Sequence, residues 1–341
     1  MSSSRARRAV IAVIVLAALP FLVAAGGGDG GQSDQARAEH QRIVNFWTAE
    51  RVAQAVPRDF YRNPASGQFV PARKPVPPDP GTSYVSGSSW TKGGQIVEAS
   101  GKVLFMMADQ YWICSATAIA DTAGGRSLIL TAAHCVYDEA NHEFAANWMF
   151  IPAYDLAPEP LTVDGAFCQY TEYGCWTPTA MVVRQEYDLA GGFNDQAVLH
   201  DFAVVAVQGG EFNGDRLLEN VVREQTAVFA PVSAPANVYA FGYPAEKKWN
   251  GSDLIYCKEP LSFDSSLDNA TYRLSSCALN GGSSGGPWLY AFTEDSGAGT
   301  VMSVNSYGYP GVKAMFGPKL NDDAQSVYNT ALSATGQVLV P

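Results

Sequence analysis

Residues 127–135 read Ser127-Leu128-Ile129-Leu130-Thr131-Ala132-Ala133-His134-Cys135. The apolar run Ser127–Leu130 has the length and side chains of a short buried strand. A histidine at the end of such a strand can turn one ring nitrogen toward an acid and the other toward a nucleophile. Similar short runs recur on both sides of it. They are Gly101-Lys102-Val103-Leu104-Phe105-Met106, Phe202-Ala203-Val204-Val205-Ala206-Val207, Val238-Tyr239-Ala240-Phe241 and Val301-Met302-Ser303-Val304, bounded by Gly, Asn and Asp. No regular alternation of strand and helix points to a parallel α/β sheet, and no fixed-period repeat is present. One helix is predicted near the end. Asn321 caps it, Ala324, Val327, Tyr328, Ala331 and Leu332 line one face, and Gly336 closes it. From residue 84 to residue 341 the pattern therefore predicts an all-β, antiparallel domain with a C-terminal helix.

Two further segments carry chemistry. His200-Asp201 precedes the apolar run 202–207. A carboxylate at the head of a buried strand needs donors, and a histidine N–H would fix the imidazole tautomer. Later comes Asn280-Gly281-Gly282-Ser283-Ser284-Gly285-Gly286-Pro287-Trp288. A flexible linker is the bland reading, but the apolar Trp288-Leu289-Tyr290 follows at once. Glycines around a serine allow a tight turn with N–H groups aimed inward and room for a substrate carbonyl. Serine is a weak nucleophile at its own pKa and needs a base and an anion-stabilising pocket.

Charge and cysteines narrow the function class. The 341 residues carry a net charge of −11. Removing residues 1–25, which hold Arg5, Arg7, Arg8 and no acid, takes this to about −14. Such a surface repels phosphate backbones and anionic lipid, which argues against nucleic-acid binding and membrane-surface binding. Six cysteines, Cys114, Cys135, Cys168, Cys175, Cys257 and Cys277, suggest a disulfide framework. No Cys-x-x-Cys occurs and His40, His134, His142 and His200 are scattered, so no metal or other cofactor is expected.

The N-terminus reads as a signal peptide, residues 1–25. Arginines precede the apolar run Ala9–Ala25, which Pro20 interrupts and small residues end. An uncleaved anchor is the rival reading. Cleavage would leave a secreted, extracellular protein with no stable membrane association. Residues 26–83 read as a pro-segment or N-terminal extension. Residues 26–39 predict no fixed structure, residues 40–56 predict a helix ended by Pro57, and the proline-rich 63–83 predict an extended linker.

Taken together, Thr131-Ala132-Ala133-His134-Cys135, Asp201 before its apolar strand and Gly282-Ser283-Ser284-Gly285-Gly286-Pro287 resemble the trypsin/chymotrypsin-like serine protease superfamily, in its bacterial secreted form. Ser306-Tyr307-Gly308 looks like its substrate-binding strand, and the resemblance covers residues 84–341. It implies a chymotrypsin-like double antiparallel β-barrel with His134, Asp201 and Ser284 as the triad between the barrels. It also implies an oxyanion hole from the N–H groups of Gly282 and Ser284, and a Cys114–Cys135 bridge. Cys168 and Cys175 can staple one loop, leaving Cys257 and Cys277 to brace the segment before Ser284. A monomer acting on protein or peptide substrates follows from the same resemblance. The chain order His, Asp, Ser excludes the α/β-hydrolase arrangement, in which the acid follows the serine.

Three departures bear on regulation and specificity. Ser283 stands where vertebrate digestive members have an aspartate that pairs with a newly cut N-terminus, so that activation device is absent. Ala278 stands where trypsin-like members have the aspartate that binds Arg or Lys. Asn305 stands where glutamate-specific relatives have a histidine. By exclusion, a neutral or apolar residue before the scissile bond is expected. The alternative function is a catalytically inactive homologue acting as a secreted binding protein; the complete trio of side chains favours catalysis.

Overall fold

The computed structural model describes residues 34–71 and 85–341, apart from 164–166, 210–216, 234, 236, 246–248 and 250. The expected signal peptide, residues 72–83 of the expected linker and residue 84 lie outside the described residues. Among the described residues no helix is long and apolar enough to cross a membrane.

Six strands close on themselves in the first half: Ser100–Met107, Gln110–Ile119, Ser127–Thr131, Ala146–Pro152, Trp176–Arg184 and Ala203–Gly209. Gln110–Ile119 pairs with both Ser100–Met107 and Ser127–Thr131, which shuts the barrel. The runs read as continuously apolar are so because several strands are covered on both faces. Val204, Val205 and Ala206 are buried without alternation, and the helix Asp322–Ala331 packs over Trp176–Arg184 and Ala203–Gly209. Asn321 caps that helix through its side chain, accepting from the N–H groups of Asp323 and Ala324. Gly336 does not close it. The helix ends at Ala331, and Gly336 opens a last strand, Gly336–Val340, parallel to Trp176–Arg184.

The second half is built from two six-stranded sheets. One orders Thr226–Ala227, Ala298–Val304, Pro287–Thr293, Val238–Gly242, Ile255–Glu259 and Val85–Ser89. The other contains Tyr272–Leu274, Val312–Gly317 and Tyr307–Tyr309. Val238, Ala240, Ile255, Trp288 and Met302 belong to its buried core. The disulfides are Cys114–Cys135, Cys168–Cys175 and Cys257–Cys277.

The N-terminal segment departs from expectation. Helix Asp34–Phe46 begins within the stretch expected to be unstructured, and packs on Ala146–Pro152 and Trp176–Arg184 through buried His40 and Ile43. A second helix, Ala49–Gln54, starts anew because the Thr48 side chain caps it. Phe60–Arg62 and Phe69–Pro71 then extend the second sheet past Tyr307–Tyr309. Phe69–Pro71 is thus a strand inside the expected linker, held by Phe69 against Phe193 and Tyr307.

The Cys114–Cys135 bridge closes a loop with a sequence separation of 21. Replacing both cysteines by alanine is expected to cost about 3 kcal/mol of stability through the freed unfolded chain. The shift of the urea midpoint under non-reducing conditions measures it.

Candidate active site

Strand Ser127–Thr131 runs into a single tight turn, Ala133–Cys135, which presents His134. Cys135 is anchored there by its bridge to Cys114, and its carbonyl accepts from the Trp148 indole at 3.1 Å. Asp201 ends a short turn of helix, Ala197–His200, just before strand Ala203–Gly209. Its carboxylate is fully buried and grips His134 twice. Oδ2 lies 2.8 Å from the ring Nδ1, and Oδ1 accepts from the backbone N–H at 2.9 Å. The Ser306 hydroxyl also donates to Oδ2. A bond from Asp201 to Nδ1 leaves Nε2 as the ring nitrogen free to act. That atom is buried and makes no hydrogen bond. The rings of Phe60 and Phe193 stand edge-on to the imidazole.

The serine loop is fixed by glycines that cannot be replaced in place. Gly282 has φ +97°, and a Cβ there would meet the Tyr243 carbonyl oxygen at 2.8 Å. Gly285 has φ +81°, and its Cβ would sit 2.0 Å from Thr131 Oγ1 and 2.4 Å from the Ser115 oxygen. Ser115 sews this loop to the first barrel. Its N–H donates to the Ser284 carbonyl at 2.7 Å, and its hydroxyl donates to the Gly282 carbonyl at 2.8 Å. Asn305, buried completely, braces the loop from the other side. Its amide donates to the carbonyls of Phe241 and Ser283, and its oxygen accepts from the Trp288 indole. The residue at the position considered for specificity is therefore a brace.

The Ser284 hydroxyl does not reach His134. It donates to Asp59 Oδ1 at 2.7 Å, and the Gly282 N–H donates to Asp59 Oδ2 at 3.2 Å. Burial pushes the Asp59 carboxyl above its usual range, against the pull of the Ser284 hydroxyl, the His134 ring and the Gly282 N–H. The candidate nucleophile and candidate oxyanion donor thus share one occupant, a side chain from the N-terminal segment. Sequence reading missed Asp59. The signal present was Arg58-Asp59-Phe60-Tyr61-Arg62, charged and aromatic residues just after Pro57, which was expected to end a helix but lies in the short strand Val56–Pro57, the helix having ended at Gln54.

Substrate-binding candidates Ser306, Tyr307, Gly308 and Ala278 all line one cavity beside Ser284. Val312, Ala314 and Met315 add apolar wall, and Lys313 lines it too, donating to the Ser86 hydroxyl at 2.9 Å. Ser306 has a second role in holding Asp201, and the Tyr307 hydroxyl bonds Thr271 and Asp264. The sulfurs of Cys114 and Cys135 lie near His134, but their bond to each other consumes them as metal ligands.

No protein-family model matches the sequence, and no curated protein matches it. Solved structures do. The protease Anisep from Arthrobacter nicotinovorans is 28% identical, with a TM-score of 0.57 over 73% of this chain and 100% of that one. The thermostable serine protease AL20 from an extremophilic microorganism is 29% identical, with a TM-score of 0.57 over 69% of this chain and 97% of its own. The chain has the trypsin/chymotrypsin serine-protease fold. A Glu endopeptidase, 17% identical with a TM-score of 0.52 over 73% of this chain and 98% of that one, shares this fold.

Within this protease fold, Gly285→Ala forces a Cβ into Thr131 and a left-handed backbone. A loss on the order of 3 kcal/mol is expected, read from chemical denaturation.

Proposed function

We propose that the protein is a secreted serine endopeptidase, made with a signal peptide at residues 1–25 and a pro-segment or N-terminal extension at 26–83. The observation that carries this reading is the Asp201 carboxylate bound to both the backbone N–H and the ring Nδ1 of His134. That grip orients Nε2 as a base and stabilises the imidazolium that would form. Ser284 Oγ attacks the scissile carbonyl carbon while His134 Nε2 takes its proton. The N–H groups of Gly282 and Ser284 stabilise the resulting oxyanion. The tetrahedral species collapses, the C–N bond breaks, and His134 returns the proton to the leaving amine. Water then hydrolyses the acyl-enzyme by the same route. Protein or peptide substrates, single-chain action and chemistry without a cofactor complete the proposal. Three disulfides in a chain with an apolar N-terminal run support an oxidising, extracellular setting.

A fluorophosphonate probe tests it, because Ser284 Oγ would bond to phosphorus with loss of fluoride. Peptide mapping is expected to find the adduct on Ser284, and Ser284→Ala to abolish it. No adduct on correctly folded protein after removal of residues 26–83 would favour the binding-protein alternative. Asp201→Asn presents His134 with the wrong hydrogen-bond partner and is expected to lower kcat by about 10⁴-fold, measured on a chromogenic peptide.

A further inference from the structure

We propose that residues 56–62 are an intramolecular lock, in which the Asp59 carboxylate fills the oxyanion hole and holds the Ser284 hydroxyl away from His134. The proposal rests on Ser284 being the nucleophile.

The segment is docked along its length. Val56–Pro57 pairs in parallel with Trp112 and Ile113 of the first barrel. Phe60 and Tyr61 pair in parallel with Tyr307 and Gly308, covering the edge expected to take substrate. Strand addition to an open edge is a common way to bind a peptide. Here it is satisfied by the chain itself. The Tyr61 ring lies so close to residue 308 that a Cβ there would meet it at 2.9 Å.

Two arginines clamp the segment on either side of Asp59. Arg58 is buried, donates to the His134 carbonyl at 2.6 Å and pairs with Glu139 at 3.0 Å. Arg62 makes a two-pronged pair with Asp195, at 2.7 and 2.8 Å. Between them the main chain offers Ser284 a side-chain carboxylate where a substrate would offer a peptide carbonyl. A carboxylate carbon is a poor electrophile, so the lock sits against the nucleophile without being cut. Gly281 completes the fit: a Cβ there would lie 2.7 Å from Asp59 Oδ2 and 3.0 Å from Pro57 Cβ.

The occupied hole is the complement of the occupant. Donors placed for a developing oxyanion bind a carboxylate oxygen for the same electrostatic reason. Residues 72–84 join the segment to the domain, so docking is intramolecular and favoured by a high effective concentration.

The test uses the full chain and the rate of fluorophosphonate labelling at Ser284. Asp59→Ala removes the plug and is expected to speed labelling roughly 10- to 100-fold, the scale of losing charge-assisted hydrogen bonds. Arg62→Asp, remote from the reacting atoms, is expected to act in the same direction by releasing the strand. Adding Asp195→Arg to Arg62→Asp should restore the slow rate by re-forming the pair with its charges exchanged. Labelling of both single variants at the wild-type rate would overturn the lock and leave Ser284 as nucleophile. No labelling in any variant that unfolds at the wild-type temperature would instead remove the enzyme reading, and the lock with it.

Discussion

The buried Asp201 carboxylate is the constraint that organises this molecule. A charge so fully removed from water is costly unless donors surround it. Here they come from both halves: the backbone and ring of His134 in the first barrel, and the Ser306 hydroxyl beside the strand Tyr307–Tyr309 in the second sheet system. Satisfying one carboxylate therefore fixes the tight turn after strand Ser127–Thr131 and the edge strand of the second half at once. The disulfide at Cys135 and the Trp148 indole hold that turn from behind. Ser115 supplies a second seam, bonding the carbonyls of both Gly282 and Ser284. The two seams hold the His134 turn and the serine loop each to both halves.

Much of this was legible because the relevant information is local. Strands such as Ser127–Thr131 and Ala203–Gly209 announce themselves as short apolar runs, and two-sided burial explains why they do not alternate. Asn321 marked a helix start because its side chain bonds the first free N–H groups. The glycines at 282 and 285 were readable as turn-makers; the structure adds that each also clears a specific neighbour, Tyr243 in one case and Thr131 in the other. The end of the last helix was misplaced because Gly336 is compatible both with closing a helix and with opening a strand. Pairing with Trp176–Arg184, far away in the chain, decided between them.

Asp59 was illegible for a deeper reason. Its partners Gly282 and Ser284 lie more than two hundred positions away, and its own neighbourhood has no apolar period to reveal an element. Phe60–Arg62 is a strand through pairing with Tyr307–Tyr309 on one side and with Phe69–Pro71 on the other. A segment whose structure is borrowed from its docking surface shows little in propensity, and in sequence it looks like a linker.

Its mode of attachment also suits a reversible contact. Beside its backbone pairing and the stacking of Phe60 on Phe193, the segment is held by polar groups: Arg58 with Glu139, Arg62 with Asp195, and Asp59 with Ser284 and Gly282. Desolvation offsets much of what such pairs gain, so they fix register strongly while contributing modest net affinity. An apolar plug of the same size would bind with less regard for position and would not engage the donors of the hole. The carboxylate does engage one of them, the Gly282 N–H, together with the Ser284 hydroxyl, and this couples the two proposed states. Under the proposed mechanism, strengthening the Gly282 N–H as a donor to a negative oxygen in the transition state would also strengthen its hold on Asp59. In the proposed enzyme, catalytic power and the strength of the proposed lock therefore draw in part on one shared contact, the Gly282 N–H.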